Sequence, residues 1–200
     1  MDHPAQDIVV ERPDAGVVQI TLHRPEFRNA LRTQTLAEIA DVLAVAAADS
    51  QIKAVVLTGG LECFAAGADV REMAPLGPVD ILTHERQRHW RAIGKALTMQ
   101  MVLTGQPINA QMALAAGLVV EVDEPESALA RSVEIASVIA TKPALAIRLA
   151  KEAVLRAYET PLAEGLVAER QAFALLAASH DRNEGIAALL EKRTPDFTGR

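Results

Sequence analysis

The hexapeptide Phe64-Ala65-Ala66-Gly67-Ala68-Asp69 follows the apolar run Ala54-Val55-Val56-Leu57-Thr58-Gly59-Gly60, and together they have the composition of an oxyanion site. A β-branched run ending in two glycines reads as a buried strand, and Ala68 to Met73 can open a helix after the glycine turn. Unpaired backbone N–H groups gather at such a junction, and small side chains at 65–68 let a ligand approach the main chain. N–H groups placed this way stabilise a carbonyl oxygen that gains negative charge. By composition alone, a small-residue turn after a strand is also an ordinary structural feature.

Other residues with chemical potential give weaker signals. Cys63 could be a nucleophile with a histidine partner, but a lone small thiol beside a strand end reads first as a buried apolar residue. His84 and His89 are five apart, a spacing that does not stack both rings on one helix face as a zinc pair requires, so they read as part of a solvated face. His180 before Asp181 reads as a helix-end residue. Gly59-Gly60 lacks the P-loop lysine and the dinucleotide glycine spacing, which disfavours nucleotide hydrolysis and NAD binding.

These residues must be positioned by an α/β frame. The 200-residue chain has room for one ordinary domain, or one plus a helical appendage. Half of it is hydrophobic and only 3% aromatic, so the core must be built from Ala, Val, Leu and Ile. A net charge of -6 argues against a nucleic-acid or anionic-membrane partner. One cysteine, no basic-then-apolar start and no run of about 18 apolar residues point to a cytoplasmic protein that does not span a membrane.

Gly16 to Leu22 is a strand candidate that stops at Arg24-Pro25. A helix capped by Thr33 follows, with Leu36, Ile39, Ala40, Leu43 and Ala47 expected on its buried face. Ile52 to Thr58 is the second strand, and the crossover is long enough for parallel pairing. Asn109 is expected to cap a short helix ended by Gly117, with a third strand over Leu118–Val122. Beyond Pro125 the chain reads as helix near 126–140, 143–158, 161–178 and 182–192, with Pro143 and Pro161 in first turns. The division expected is an α/β core over 1–122 and a helical oligomerisation region over 123–200, whose apolar surface needs a partner.

The stretches Leu22-His23-Arg24-Pro25-Glu26-Phe27-Arg28-Asn29-Ala30-Leu31, Ala54 to Met73, Met101 to Gly105, Ala113 to Val122 and Glu184 to Arg193 resemble, in order, the crotonase (enoyl-CoA hydratase/isomerase) superfamily. The ending Asp181 to Arg200 most resembles the branch that serves bacterial phenylacetate breakdown. The resemblance implies a crotonase (ClpP-like) spiral of β-β-α units with a C-terminal helical trimerisation region. It implies an acyl-CoA substrate, no metal or redox cofactor, and a homotrimer or hexamer. By the same resemblance Ala68 supplies the first of two backbone N–H donors to the thioester oxygen. Arg28, Ala30, Ala66, Gly67, Asp69, Val70 and Arg71 would line the CoA, and Lys192 would reach it from a neighbouring subunit. By composition alone, Arg24, Arg28, Lys192 and Arg193 read as solvated surface charges; the resemblance reverses this for Arg28.

The chain also departs from the family pattern. Between Trp90 and Arg91, roughly fifty to sixty residues of that pattern have no counterpart. They would carry the second oxyanion donor and both catalytic glutamates. Either the chain is a shortened relative, or a segment of that length belongs between these residues. Val79 to Leu103 could then run as one helix, interrupted energetically by Gly94. Loss of a strand pair would leave sheet-edge N–H and C=O groups unpaired. Glu62, Glu72 and Glu85 are the nearby carboxylates, and a solvated helix surface is their ordinary setting. The implied reaction is hydration of a 2-enoyl-CoA; a non-catalytic acyl-CoA binder or assembly subunit, and an isomerase or hydrolase on the same frame, are the alternatives.

Overall fold

The computed structural model describes residues 6–73 and 95–199. Most of the helix expected over Val79–Leu103, with His84, Glu85, His89, Trp90, Arg91 and Gly94, lies outside the described residues; its end is present as a helix over Lys95–Thr104.

The sheet has three strands in the order β1 (Ile8–Asp14), β2 (Val17–Leu22) and β3 (Ala54–Thr58). Only Ala15 and Gly16 join β1 to β2, and so short a link makes them antiparallel. The N–H groups of Lys53 and Ala54 donate to the Gly16 carbonyl at 2.7 and 3.0 Å. β3 therefore starts beside β2 and runs parallel to it, as the β-helix-β pattern predicts. The crossover is α1 (Thr33–Ala48). Central β2 is the core, with Val17, Val18, Ile20 and Leu22 all buried.

β1 is absent from the sequence expectation. Its residues Glu11, Arg12 and Pro13 interrupt any apolar alternation, and proline is tolerated there because the strand lies at a sheet edge. The strand expected over Leu118–Val122 does not form: no described strand pairs with it, and Val120 is 91% exposed. Propensity without a neighbouring edge does not make a strand.

The buried face of α1 also differs from the expected one. Thr35 and Ala46 are buried and Ile39 and Val42 partly so, whereas Leu36 and Leu43 are more than 40% exposed. The cause is polar. The Thr35 hydroxyl donates to the buried Asp7 carboxylate at 2.5 Å, which turns the helix by one residue. Thr33 is not the cap. Leu36 N–H bonds the Arg32 carbonyl, and the Thr33 N–H and hydroxyl donate to Glu72 at 2.7 and 2.9 Å, so a carboxylate from elsewhere closes the helix start.

The remaining helices are α2 (Val70–Met73), α3 (Lys95–Thr104), α4 (Ala110–Ala115), α5 (Pro125–Ala140), α6 (Ala144–Arg156), α7 (Leu162–Ala177) and α8 (His180–Glu191). Asn109 caps α4 by accepting from Met112 N–H at 2.8 Å. Gly117, with φ +71°, ends it: its N–H bonds the Leu114 carbonyl and that of Leu118 bonds Ala113. Pro143 and Pro161 stand one position earlier than expected, as the N-cap residues of α6 and α7. Ser179 caps α8, which His180 opens.

The described residues form two compact units. The first draws on 1–9, 20–43 and 57–132, and the second on 10–19, 44–56 and 133–200. In the first, Asp7 fixes α1: Arg32 donates to its two oxygens at 2.7 Å each, Thr35 adds its hydroxyl, and Glu38 accepts from the Asp7 N–H at 3.0 Å. In the second, α6 packs on α7. Among the described residues, no helix is long and apolar enough to cross a membrane.

The hydrogen bonds from Arg32 hold the Asp7 carboxyl below its ordinary value. A depressed carboxyl adds stability that is fully present above the unfolded value, about 3.9, and is lost as pH falls through the folded one. Melting temperature should therefore stay level from pH 7 to about pH 5 and fall below about pH 4. In Asp7→Asn the melting temperature should be lower at pH 7 and its acid limb shallower, as read by circular dichroism.

Candidate active site

The turn that carries Ala68 is pinned by main-chain pairing with Leu31. Leu31 N–H donates to the Gly67 carbonyl at 2.8 Å, and Asp69 N–H donates to the Leu31 carbonyl at 2.9 Å. Leu31 thus spends both groups on the residues flanking Ala68, and in a parallel bridge the N–H of Ala68 faces the opposite way. It meets no acceptor among the described residues, and Ala66, Gly67 and Ala68 are exposed. An N–H donor at a fixed position, reachable by a ligand, is what the oxyanion role of Ala68 requires.

Beneath the turn lies a buried ion network. Asp69 is 5% exposed. Its carboxylate accepts from Arg71 Nε and Nη2 at 2.9 and 2.7 Å, from Arg71 N–H at 3.2 Å and from Arg24 Nη2 at 3.1 Å. These bonds, those of Arg71 first, hold it far below the usual carboxylate range. The composition reading of Arg24 as a solvated charge is overturned, because Arg24 is buried between two carboxylates. Its Nε stands 3.7 Å from Asp7, its Nη2 bonds Asp69, and its Nη1 donates to the Ala30 carbonyl. The rigid fork of a guanidinium suits this three-way contact. The Phe27 ring has the guanidinium carbons of Arg24 and Arg71 at 4.9 and 3.8 Å from its centre, which gives both cations an aromatic face.

Asn29 is the second clasp, and it has no role in the sequence reading. The short 3-10 turn Pro25–Phe27 ends with Arg28 and Asn29 in the left-handed region, φ +48° and +55°. Asparagine tolerates that conformation better than most residues. Buried Asn29 donates from Nδ2 to the carbonyls of Gly59 and Cys63 at 2.9 and 2.8 Å and accepts the Arg24 N–H at 2.9 Å. This closes the loop after β3 so tightly that a Cβ on Gly59 would collide with the main chain of Cys63 and Phe64. The Arg28 carbonyl accepts Ala66 N–H at 2.9 Å and ties the same loop from the other side.

The first unit therefore contains Arg28, Ala30, Ala66, Gly67, Ala68, Asp69, Val70 and Arg71, while Lys192 belongs to the second. The exposed Arg28 side chain faces a cavity of about 370 Å³ that Thr21, His23, Asn29, Glu62 and Cys63 also line. Ala68 is not among the residues lining that cavity. Val70 is 72% exposed. Glu72 serves α1, and its bonds from Thr33 keep it ionised, the opposite of what a general acid needs near neutral pH. Arg193 is paired with Glu184 and Glu191 rather than free in solvent. No cluster of three His, Cys, Asp or Glu among the described residues could hold a metal ion.

Asn29→Ala leaves a buried N–H and two carbonyls without their partner, and should cost about 1–3 kcal/mol in urea unfolding. Gly59→Ala should cost a similar amount, about 1–3 kcal/mol, because the loop must open to admit the methyl group.

Comparison with known proteins gives the family and the fold. The family described as Enoyl-CoA hydratase/isomerase matches residues 12–91 and 77–200. The 2,3-dehydroadipyl-CoA hydratase of Escherichia coli is 34% identical over 254 residues, covering 97% of this chain and 99% of that protein. A probable enoyl-CoA hydratase, echA8, of Mycobacterium bovis is 33% identical, covering 98% and 99%. Among solved structures, an enoyl-CoA hydratase subunit I from Geobacillus kaustophilus superimposes with a TM-score of 0.89 at 30% identity, covering 98% of this chain and 99% of that one. The enoyl-CoA hydratase of Bacillus anthracis gives 0.88 at 27% identity, covering 98% and 100%. The chain belongs to the enoyl-CoA hydratase/isomerase family and has its α/β crotonase fold.

Proposed function

We propose that this protein binds a 2-enoyl-CoA thioester and adds water to it, giving a 3-hydroxyacyl-CoA, in fatty-acid or phenylacetate-type breakdown in the cytoplasm. The observation that carries the reading is the Ala68 N–H, exposed and held by the Leu31 bridge above the Arg24–Asp69 pair. In that reaction the thioester carbonyl accepts the N–H bond, water oxygen adds to the β carbon, and a proton goes to the α carbon. Charge gathers on the thioester oxygen, and a fixed donor there lowers the barrier. Arg28 supplies positive charge for the CoA phosphates, Arg71, its charge met by Asp69, lines the CoA beside it, and Lys192 is the corresponding group of a neighbouring subunit. Leu162, Phe173, Leu175, Leu189 and Leu190 are 63–78% exposed, which supports assembly into a trimer or hexamer through region 123–200.

A specific observation favours a second reading, a non-catalytic acyl-CoA binder. Glu72 is committed to Thr33, and by the family resemblance the block that would carry the second donor and both glutamates has no counterpart after Trp90. The aligned length to the Escherichia coli hydratase, 254, exceeds the 200 residues of this chain, which supports a gap of that kind. One missing oxyanion donor costs ~10²–10³ in rate, and missing acid/base groups ~10²–10⁴ more.

The test is a paired measurement with crotonyl-CoA, following loss of enoyl absorbance and binding of the thioester. Turnover that disappears in Ala68→Pro, which removes the donor but keeps both Leu31 bonds, supports hydration. Tight binding without turnover supports the binder, and absence of binding removes both. Glu72→Gln should leave thioester affinity unchanged and lower the melting temperature by about 1–3 °C, as expected of a helix cap.

A further inference from the structure

The C-terminal segment is folded back onto the start of α8 by two carboxylates. Asp181, 2% exposed, accepts from Thr198 N–H at 2.9 Å, from the Thr198 hydroxyl at 3.3 Å and from Gly199 N–H at 2.8 Å. Glu184, one turn further on, accepts from Arg193 Nη1 and Nη2 at 2.6 and 2.9 Å and from Asp196 N–H at 2.8 Å. The Phe197 ring covers Gly185, where an added Cβ would lie 3.5 Å from it. The segment after α8 is thereby fastened at both ends, near residue 193 and near residue 198.

Between the helix and the fastened tail stands Lys192, with φ +55° and ψ +40°. That left-handed position favours glycine, and a side chain there costs about 1–2 kcal/mol. The turn is closed by main-chain bonds, with Lys192 N–H donating to the Leu189 carbonyl and Arg193 N–H to the Ala188 carbonyl at 3.0 Å, and the strap holds the residues that follow. A lysine anywhere in the last turn would complement the helix dipole, so the dipole alone does not account for one in this conformation. Arg193 is neutralised by Glu184 and by Glu191 at 2.6 Å. Lys192, in contrast, is exposed and has no carboxylate partner among the described residues.

We infer that Asp181 and Glu184 are positioning residues: by strapping residues 193–199 to α8 they hold the chain that leaves the Lys192 turn, so that its ammonium is presented to a phosphate group of bound CoA. This rests on the reading of Lys192 as a CoA contact. Neither carboxylate touches the ligand; both act through the backbone of residues 193–199. Glu184 also removes Arg193 as a competing cation.

The experiment measures CoA affinity of the full chain at several salt concentrations, together with melting temperature. Four variants are compared with the unaltered protein: Lys192→Gly, Asp181→Asn, the pair combined, and a chain ending at Phe197. Lys192→Gly should relieve strain, leaving the melting temperature equal or higher, while weakening CoA about threefold to fivefold and flattening the salt dependence. Asp181→Asn and the shortened chain should reproduce both the weakening and the flatter salt dependence. The double variant should be no weaker than Lys192→Gly alone. If Asp181→Asn and the shortened chain lower melting temperature but keep the original affinity and salt dependence, the carboxylates are structural only and the proposal is overturned. If Lys192→Gly leaves CoA binding unchanged, the reading of Lys192 fails, and the proposal with it.

Discussion

A single buried guanidinium, that of Arg24, organises the first unit. It lies between Asp7, just before β1, and Asp69, at the end of the turn that carries Ala68, while its main chain closes on Asn29. Segments separated by tens of residues in sequence therefore meet on one planar cation. Burying charges is costly, and the arrangement holds because the charges meet partners; no buried side-chain nitrogen or oxygen among the described residues lacks one. Removing any member would leave an uncompensated charge in the interior. The network thus makes the position of the turn depend on the position of the strand.

This dependence links fold to chemistry. An N–H donor helps a reaction only if it already points where charge will develop, since reorientation would consume the gain. The Leu31 bridge orients Ala68, Asp69 anchors the next residue to Arg24, and Asn29 draws the preceding loop over Gly59 and Cys63. Three linked ties thus act within about ten residues, on segments whose side chains are small enough to leave the main chain open.

Much of this frame was legible in the sequence, because it is local. The β2–α1–β3 crossover follows from apolar runs and proline positions, and the Asn109 and Gly117 caps follow from residue types that suit those sites. Ala68 is singled out by resemblance, and nothing in the sequence signals the Leu31 bridge that fixes it. The failures share a cause, which is a partner distant in sequence. Arg24 reads as a surface charge until Asp69, 45 positions away, is seen beside it. The α1 face is set by Asp7 acting on Thr35, against the apolar periodicity that favours Leu36 and Leu43. Leu118–Val122 has strand composition but no described edge to join, and β1 hides behind Pro13 because only an edge strand tolerates it.

Arg24 is placed to hold the turn whose Ala68 N–H is proposed to meet a thioester oxygen. This role is tested most directly by the infrared carbonyl band of acetyl-CoA bound to the unaltered protein and to Arg24→Gln. The band should shift to lower frequency on binding the unaltered protein and return toward its free position in the variant at equal occupancy. The same shifted band in both proteins would contradict this role.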